Sequence, residues 1–314
     1  MRKKAAFLYS ILLPFLAACH SGKEETDCTN GLKIGFLPST DVLPYIVARQ
    51  LGIYDSLHLN LKLMRMESER NRDTLFRQRK TDGSILSPME AFIQQKQGTE
   101  IFPTLTNEGL YYIVAANDSN FTRPGQLKGK CLSVARESVS AFFADKVLAK
   151  LGIGPDDINK PELNDESIRM RMLANGQIDA AVLRAPNASD ALQKGCKILV
   201  RSAPYPLTLS VTAFSDSVLN TREEDIKRLI IGYNLAVEYM NSHPQKEWLG
   251  KVAPTAGLHG ALPQLPPFKK TARLSAAHAK EMIQWMQKNG LLPLSHPIGY
   301  DNHPIVNKIH NGLK

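Results

Sequence analysis

A chain of 314 residues, 43% of them hydrophobic, is long enough for two lobes or one large domain and needs neither a disulfide framework nor a structural metal to hold a core. Its formal charge is +9, but Arg2, Lys3 and Lys4 crowd the amino terminus and no long Lys/Arg run interleaved with aromatics follows, which argues against a nucleic-acid binder. Four cysteines without a CxxC spacing argue against zinc and thiol-redox chemistry.

Met1 to Lys4 is a basic head, and Ala5 to Leu16 is a mostly apolar stretch of twelve residues. That length suits a secretory signal and is short for a membrane span. The stretch ends in Leu16-Ala17-Ala18-Cys19, which resembles the bacterial lipobox. The resemblance implies a signal peptide over 1–18, lipid on Cys19, and a chain held at a membrane surface by a polar tether over 19–31. No later stretch approaches a spanning length. Cys28, Cys131 and Cys196 remain, an odd number for an exported chain, and a disulfide between Cys131 and Cys196 stays open.

Leu32 to Tyr54 sets the pattern for the rest. A short strand around Ile34 and Phe36 breaks at Pro38, and an apolar helical pattern (Val42, Leu43, Ile46, Val47, Leu51) begins beyond it. Ser39-Thr40-Asp41 between them are cap-forming types, and Pro44 falls in the first helical turn. Strand, polar loop and helix N-terminus together can hold a polar ligand group. Leu59 to Met66 alternates as a strand, and Arg65 to Arg79 reads as a solvated charged helix. The device then recurs: Ser84-Ile85-Leu86 as strand, followed by the capping box Ser87-Pro88-Met89-Glu90 and a helix ending near Gly98.

Glu100 to Thr106 and Tyr111 to Ala116 read as strands around Asn107-Glu108-Gly109. A third device joins Cys131 to Ala135, the loop 136–140, and a helix with Phe143, Val147, Leu148 and Leu151 on its buried face, closed by Gly152. A helix over about Ser167 to Asn175 precedes the fourth, in which Ile178 to Leu183 is the strand and Arg184-Ala185-Pro186-Asn187 the polar turn. Strands at Lys197 to Arg201 and Leu207 to Phe214 follow. Thr221 to Glu224 reads as a capping box opening a long helix with Ile226, Leu229, Ile230, Tyr233 and Val237 on one face. A last helix is expected from about Ser275 to Asn289. Alternating strands and helices indicate α/β architecture with helices on both faces of mostly parallel sheets, and ligands at the carboxyl ends of the strands. All four polar loops follow strands, so the economical arrangement is two lobes facing each other across a cleft.

Five stretches in order, LKIGFLPSTDVLPYIVARQLGIY, DGSILSPMEA, LKGKCLSVARESVSAFFADKVLAKLGI, MLANGQIDAAVLRAPNA and the helix before His243-Pro244, resemble the type II solute-binding proteins of ABC importers, in particular their nitrate/sulfonate/taurine and thiamine-precursor group. The resemblance covers about Leu32 to Pro244. It implies a two-lobe type II periplasmic-binding-protein fold, each lobe a mixed, mostly parallel sheet flanked by helices. Lobe 1 would span 32–115 and 213–314 and lobe 2 would span 116–212, with hinge crossovers near Ala116 and Thr212. It implies a monomeric, extracytoplasmic receptor that delivers a small molecule to an ABC permease and ATPase, without cofactor, metal or catalysis. The ligand loops carry over onto Ser39, Thr40 and Asp41, onto Ser87, Pro88 and Met89, onto Glu137, Ser138 and Ser140, and onto Arg184, Pro186 and Asn187. Many relatives have a Gly-Ser/Thr pair where this chain has Arg136-Glu137-Ser138.

Acids on these loops bear on the ligand. Asp41, Glu108 and Glu137 oppose an anion, against Arg136 and Arg184, so a nitrogen-rich neutral or cationic heterocycle such as a thiamine-precursor-like pyrimidine is favoured over sulfonate or nitrate. Tyr45, Tyr111, Tyr112 and Tyr205 are candidate stacking faces. His296, His303 and His310 recur every seven residues, but among Pro, Gly and Asn they read as exposed loop histidines. Two alternatives remain: a cofactor-less enzyme on the same fold, of dehydratase or pyrimidine-synthase type, and a surface nutrient-scavenging lipoprotein without a permease.

Overall fold

Val, Ile, Leu and Ala runs too short for helices, each bounded by polar or glycine residues, become the strands of two sheets in the computed structural model, which describes residues 31–117, 121–294 and 303–313. The signal peptide, Cys19, most of the tether with Cys28, and His296 lie outside the described residues.

The chain runs β1 (Leu32–Phe36), a 3-10 turn (Thr40–Val42), α1 (Leu43–Gln50), α2 (Ile53–Ser56), β2 (Leu61–Arg65), α3 (Glu69–Arg77), β3 (Gly83–Leu86), α4 (Pro88–Lys96) and β4 (Ile101–Asn107). It continues through β5 (Tyr112–Ala115), β6 (Leu132–Ser133), α5 (Val139–Lys150), α6 (Glu166–Ala174), β7 (Ala180–Leu183), α7 (Asn187–Gln193) and β8 (Lys197–Arg201). The last elements are β9 (Ser210–Ser215), α8 (Asp216–Thr221), α9 (Glu223–Ser242), α10 (Gln245–Val252), α11 (Ala276–Lys288) and α12 (Pro304–Asn311). Among the described residues, no helix is long and apolar enough to cross a membrane.

The first sheet has the order β2-β1-β3-β9-β4 and the second β6-β7-β5-β8. β1 pairs parallel with β2 and β3, while β9 pairs antiparallel with β3 and β4. In the second sheet β6 and β7 are parallel, and β5 is antiparallel to β7 and β8. Each sheet therefore has one reversed strand, and it is the strand that arrives from the other sheet. A chain that leaves one sheet at its carboxyl edge and enters the next at the same edge must run backwards through it. That connectivity turns the two carboxyl edges towards each other, as the resemblance implies.

β5 lies in the second sheet, so the first crossover is at residues 108–111 and not near Ala116. The return crossover occupies 202–209, just before the expected Thr212, which lies inside β9. The crossovers touch: Ser202 Oγ accepts from the Tyr111 amide at 3.0 Å, and a Cβ on Gly109 would stand 2.8 Å from Ser210 Cβ. The tail also divides. α9 packs on α1, whereas α11 buries Met282 and Met286 with Phe142 and Phe143 of α5 and with Phe92 of α4. Trp285 Nε1 donates to Asp145 at 2.9 Å and Lys146 pairs with Glu281 at 2.6 Å, so the segment 213–314 serves more than the first sheet.

Several local expectations change. Leu51 and Leu151 each sit one residue past their helix, where glycines at φ +68° and +70° turn the chain outward, and both are exposed. The capping box at Thr221 does not form: Thr221 ends α8, its Oγ1 donates to the Ser217 carbonyl at 2.7 Å, and Arg222 precedes α9 without a side-chain cap. α3 is not a solvated helix, since Arg72 and Phe76, one turn apart, are both buried. His303 is buried, its ring tilted against Phe102 with centroids 4.5 Å apart and its Nε2 3.0 Å from Asp216, so it is not an exposed loop histidine. Cys131 carries a free thiol, which leaves no bridge to Cys196.

On the buried face of α9, Gly232 lets the helix approach Tyr54, which is 1% exposed. A Cβ there would lie 2.2 Å from Tyr54 Cε1. Gly232→Ala is therefore expected to lose about 1–3 kcal/mol by overpacking, although alanine is the better helix former. Urea denaturation checks it, and an unchanged or raised midpoint would refute the close-approach account.

Candidate functional site

Ser39, Thr40 and Asp41 are cap-forming residue types, yet none caps α1: Val42 precedes that helix and no side chain bonds its first turn. The trio instead turns inward. Ser39 Oγ donates to Asp41 Oδ1, and Ser210 Oγ, at the start of β9, donates to Asp41 Oδ2 at 2.7 Å. Behind them Tyr45 hydroxyl donates to Asn107 at 2.9 Å and lies 2.7 Å from Thr212, so α1, β4 and β9 share one buried polar network. Tyr45 is thus committed to the core and edge-on to Tyr233, and it offers no stacking face.

The second loop behaves as expected locally. Ser87 Oγ accepts from the Glu90 amide at 3.1 Å and Glu90 Oε2 accepts from the Ser87 amide at 2.7 Å. Glu90 also uses Oε1 to take Arg72 Nη2 at 2.6 Å, and Arg72 donates to Asp73 at 2.9 Å and to the Ile85 carbonyl at 3.3 Å. Burial raises the Glu90 carboxyl, but the Arg72 charge and its hydrogen bonds outweigh that and hold it at about 2. Glu90 in turn pushes Glu69 upward. From the second sheet, Arg184 is anchored by Glu166, whose carboxylate accepts from its amide at 2.7 Å and from Nε at 3.3 Å. Its Nη2 reaches 4.0 Å from Glu69 of the first sheet.

These groups converge. Ser39, Asp41, Arg72, Ser87, Tyr111, Arg184 and Ser210, with Leu37, Ile85, Leu86 and Leu209, line one small cavity between the sheets. Its free volume is about 10 Å³, room for a single water, so a larger solute can enter only if the walls part. Of the charged groups, Asp41, Arg72 and Arg184 line it, while Glu69, Asp73, Glu90 and Glu166 stand behind the lining as ion-pair partners of Arg72, Arg169 and Arg184. Burial raises the Asp41 carboxyl, partly offset by Ser39, Ser210 and the more distant Arg184.

Of the residues carried over from the resemblance, Ser39, Asp41, Ser87 and Arg184 meet in this cavity, one or two from each of three loops. Thr40 is buried within the 3-10 turn. Pro88 opens α4 and Met89 packs in the second sheet's core. The loop 136–140 does not reach the cavity: Ser138 caps α5, Ser140 Oγ accepts from the Ala135 amide at 3.0 Å, and Glu137 is exposed beside Arg136 at 3.3 Å. Glu137 has φ +52°, a left-handed conformation that favours glycine. Pro186 follows a cis peptide bond and Asn187 opens α7. Glu108 lines a different cavity. Tyr111 is the tyrosine that reaches the cleft, whereas Tyr112 is core and Tyr205 packs on Phe143.

Arg72 and Ser210 are the polar lining residues the sequence reading passed over. The i,i+4 pair Arg72 and Phe76 was a signal for a buried arginine. Ser210 had none, since it meets Asp41 across 169 positions. Among the described residues no three His, Cys, Asp or Glu side chains group as a metal site.

Two consequences follow for stability. The raised Asp41 carboxyl stabilises the folded chain fully only below its usual value of 3.8 and increasingly less as pH rises through the folded value. Asp41→Asn should therefore gain melting temperature relative to the parent between acid and neutral pH, measured calorimetrically; a constant difference across that range would contradict the burial argument. Glu90 has the opposite sign, contributing stability above 4.5 that fades as pH falls through about 2. Arg72→Met strands that carboxylate and is expected to lose about 3–5 kcal/mol at neutral pH, with the gap narrowing in acid. Denaturant melts at both pH values check it, and a pH-independent loss would mean that packing alone is at stake.

Comparison with known proteins places this geometry. The NMT1/THI5-like family model matches residues 39–247. No protein of curated function matches the sequence. Among solved structures, the periplasmic aliphatic sulphonate binding protein SsuA from Escherichia coli superposes with a TM-score of 0.70 at 17% identity, covering 86% of this chain and 91% of that one. The alkanesulfonate-binding protein SsuA from Xanthomonas axonopodis pv. citri, bound to MOPS, gives 0.66 at 17%, over 86% and 96%. The desulfurization enzyme DSZB gives 0.62 at 15%, over 90% and 99%. At such identities these structures establish the fold, two mixed sheets flanked by helices of the type II periplasmic-binding-protein kind. With two thirds of its length under one family model and a fold to match, the chain belongs to the NMT1/THI5-like family.

Proposed function

We propose that this protein is a lipid-anchored, extracytoplasmic solute-binding receptor that passes a small polar molecule to the permease and ATPase of an ABC importer. The halves built on the two sheets, divided at residues 108–111 and 202–209, part to admit the solute and close on it by way of the loops after β1, β3 and β7. Lipid on Cys19 and the tether through residue 31 keep the monomer near its permease. SsuA proteins of the same fold support the receptor reading.

The observation that carries the ligand class is the charge around Asp41. Two of the three acids behind the sequence argument, Glu108 and Glu137, stand elsewhere, but Glu69, Asp73, Glu90 and Glu166 take their place. Arg72 already donates to Asp73, Glu90 and the Ile85 carbonyl, and Arg184 Nε to Glu166, so an anion would meet the Asp41 carboxylate beside arginines already paired with acids. A neutral or cationic heterocycle with an N–H edge, such as a thiamine-precursor-like aminopyrimidine, can donate to Asp41 and lie against Tyr111; a sulfonate or nitrate cannot use the carboxylate. DSZB supports a second reading, catalysis on the same fold. Among the described residues neither Cys131 nor Cys196 lines the cavity.

Thermal-shift titration of the purified protein separates these readings. Aminopyrimidine precursors are expected to raise the melting temperature, by about 2.7 kcal/mol of stabilisation at a hundred times Kd, and Asp41→Asn to lose that response. Stabilisation by sulfonates alone would remove the heterocycle reading, and product formation from a stabilising compound would replace the receptor with an enzyme.

A further inference from the structure

Residues 253–271, between α10 and the lead into α11, form an arm that leaves the first-sheet half, touches the second and returns. α10 packs on α1, so the arm starts on the first half. It ends there too. The Leu265 amide donates to Gln245 Oε1 at 3.0 Å, the Phe268 amide to Asn241 Oδ1 at 2.9 Å and the Thr271 amide to Asn234 Oδ1 at 2.9 Å. Asn241 Nδ2 donates back to the Phe268 carbonyl at 2.8 Å. Side chains of α9 and α10 thus fix the base of the arm.

Between these points the tip reaches across. A Cβ on Gly257 would stand 2.9 Å from Pro38 Cγ, in the loop that carries Ser39 and Asp41, and one on Gly260 would run into the Gln193 amide of α7. α7 follows directly on the loop that presents Arg184. His259 Nε2 lies 3.2 and 3.4 Å from the two carboxylate oxygens of Asp190, also on α7. Arg201 Nη1 of β8 donates to the Gln264 carbonyl at 3.5 Å. Leu258, 4% exposed, is buried in the apolar cluster that takes in Ala188 and Ala191 of α7. The tip therefore meets the second half through a buried leucine and a few long polar contacts, whereas the base has well-formed bonds. When the halves separate, the weaker set gives way first.

We propose that the arm is a clasp: it travels with the first-sheet half, and its tip, Gly257 to Gly260, grips α7 and keeps the cleft shut, a role that rests on the parting of the halves proposed above. The contacts of the tip with α7 are lost on opening and regained on closing. The tip consequently sets the share of molecules that stand open, whichever solute binds at Asp41.

Thiol trapping on the purified protein tests the clasp. Ser210→Cys places a thiol in the cleft cavity of about 10 Å³, which N-ethylmaleimide reaches only with the walls parted. Cys196, 4% exposed and away from that cavity, reports unfolding in the same sample. With labelling slower than reclosing, the rate at each site, read by mass spectrometry, follows the open population. The Ser210→Cys thiol is expected to react faster than Cys196. In that background Leu258→Ala should speed the cleft thiol at least about tenfold, and His259→Ala about two- to fivefold, with Cys196 unchanged. If Leu258→Ala speeds both sites together it has loosened the whole fold, and His259→Ala, at a side chain 63% exposed, decides the matter. Cleft labelling indifferent to both variants, yet still faster than that of Cys196, would overturn the clasp and leave the parting of the halves standing. Equal rates at the two sites in all three proteins would refute the parting itself, and the clasp with it.

Discussion

A carboxylate that touches hydroxyls and no cation stands where the two sheets meet. Asp41 takes its contacts from Ser39 and Ser210, and Arg184 acts on it only at longer range. Burial raises its carboxyl, and the hydroxyls offset part of that cost. The arrangement depends on topology. β9 returns from the other sheet and enters at the carboxyl edge, delivering Ser210 to the loop after β1. Were β9 an ordinary parallel strand, its first residues would lie at the opposite edge.

The arginines nearby are framework more than bait. Arg72 ties α3 to the capping-box acid of α4 and to the Ile85 carbonyl at the end of β3, so it fixes the loop that presents Ser87. Arg184 is held along the α6 acid Glu166 in the same manner. A sulfonate on this fold would compete with the carboxylates that Arg72 and the Arg184 Nε already bond. The fold, shared with sulfonate-binding proteins and a desulfurization enzyme, is therefore a poor guide to ligand, and the local charge is the better one.

The tail beyond α10 has more structural weight than its weak family likeness indicates. α11 lies on α5 through Trp285, Met282 and Met286 and reaches α4 through the turn after it, where Lys96 Nζ donates to the Leu291 carbonyl at 2.8 Å. Helices from both sheets thus share one strap, on top of the two crossovers. The parting of the halves proposed above would have to bend or slide this strap, a restraint beyond the crossovers themselves.

Local rules were enough for much of this. Apolar runs of strand length, the Ser87–Glu90 capping box, the glycine stops and the order strand–loop–helix were all readable, because each depends on residues within about four positions of one another. The same rules placed Ser39, Asp41, Ser87 and Arg184 on loops at carboxyl edges, as a parallel arrangement of strands requires. They failed where a partner lies far along the chain. Arg72 looked solvated until Glu90 and the end of β3 closed over it, and His303 looked loose until Phe102 and Asp216 received it. Glu108 and Glu137 were assigned to the cleft on their loop positions, but the course of the crossover and a left-handed backbone turn carried them away. What the chain alone determined was which elements form and which edge of each carries polar groups, since those follow from neighbouring residues. Which of those groups meet was decided only by the tertiary fold, because burial and charge pairing are set by segments far apart in sequence, as Asp41 and Ser210 are at 169 positions.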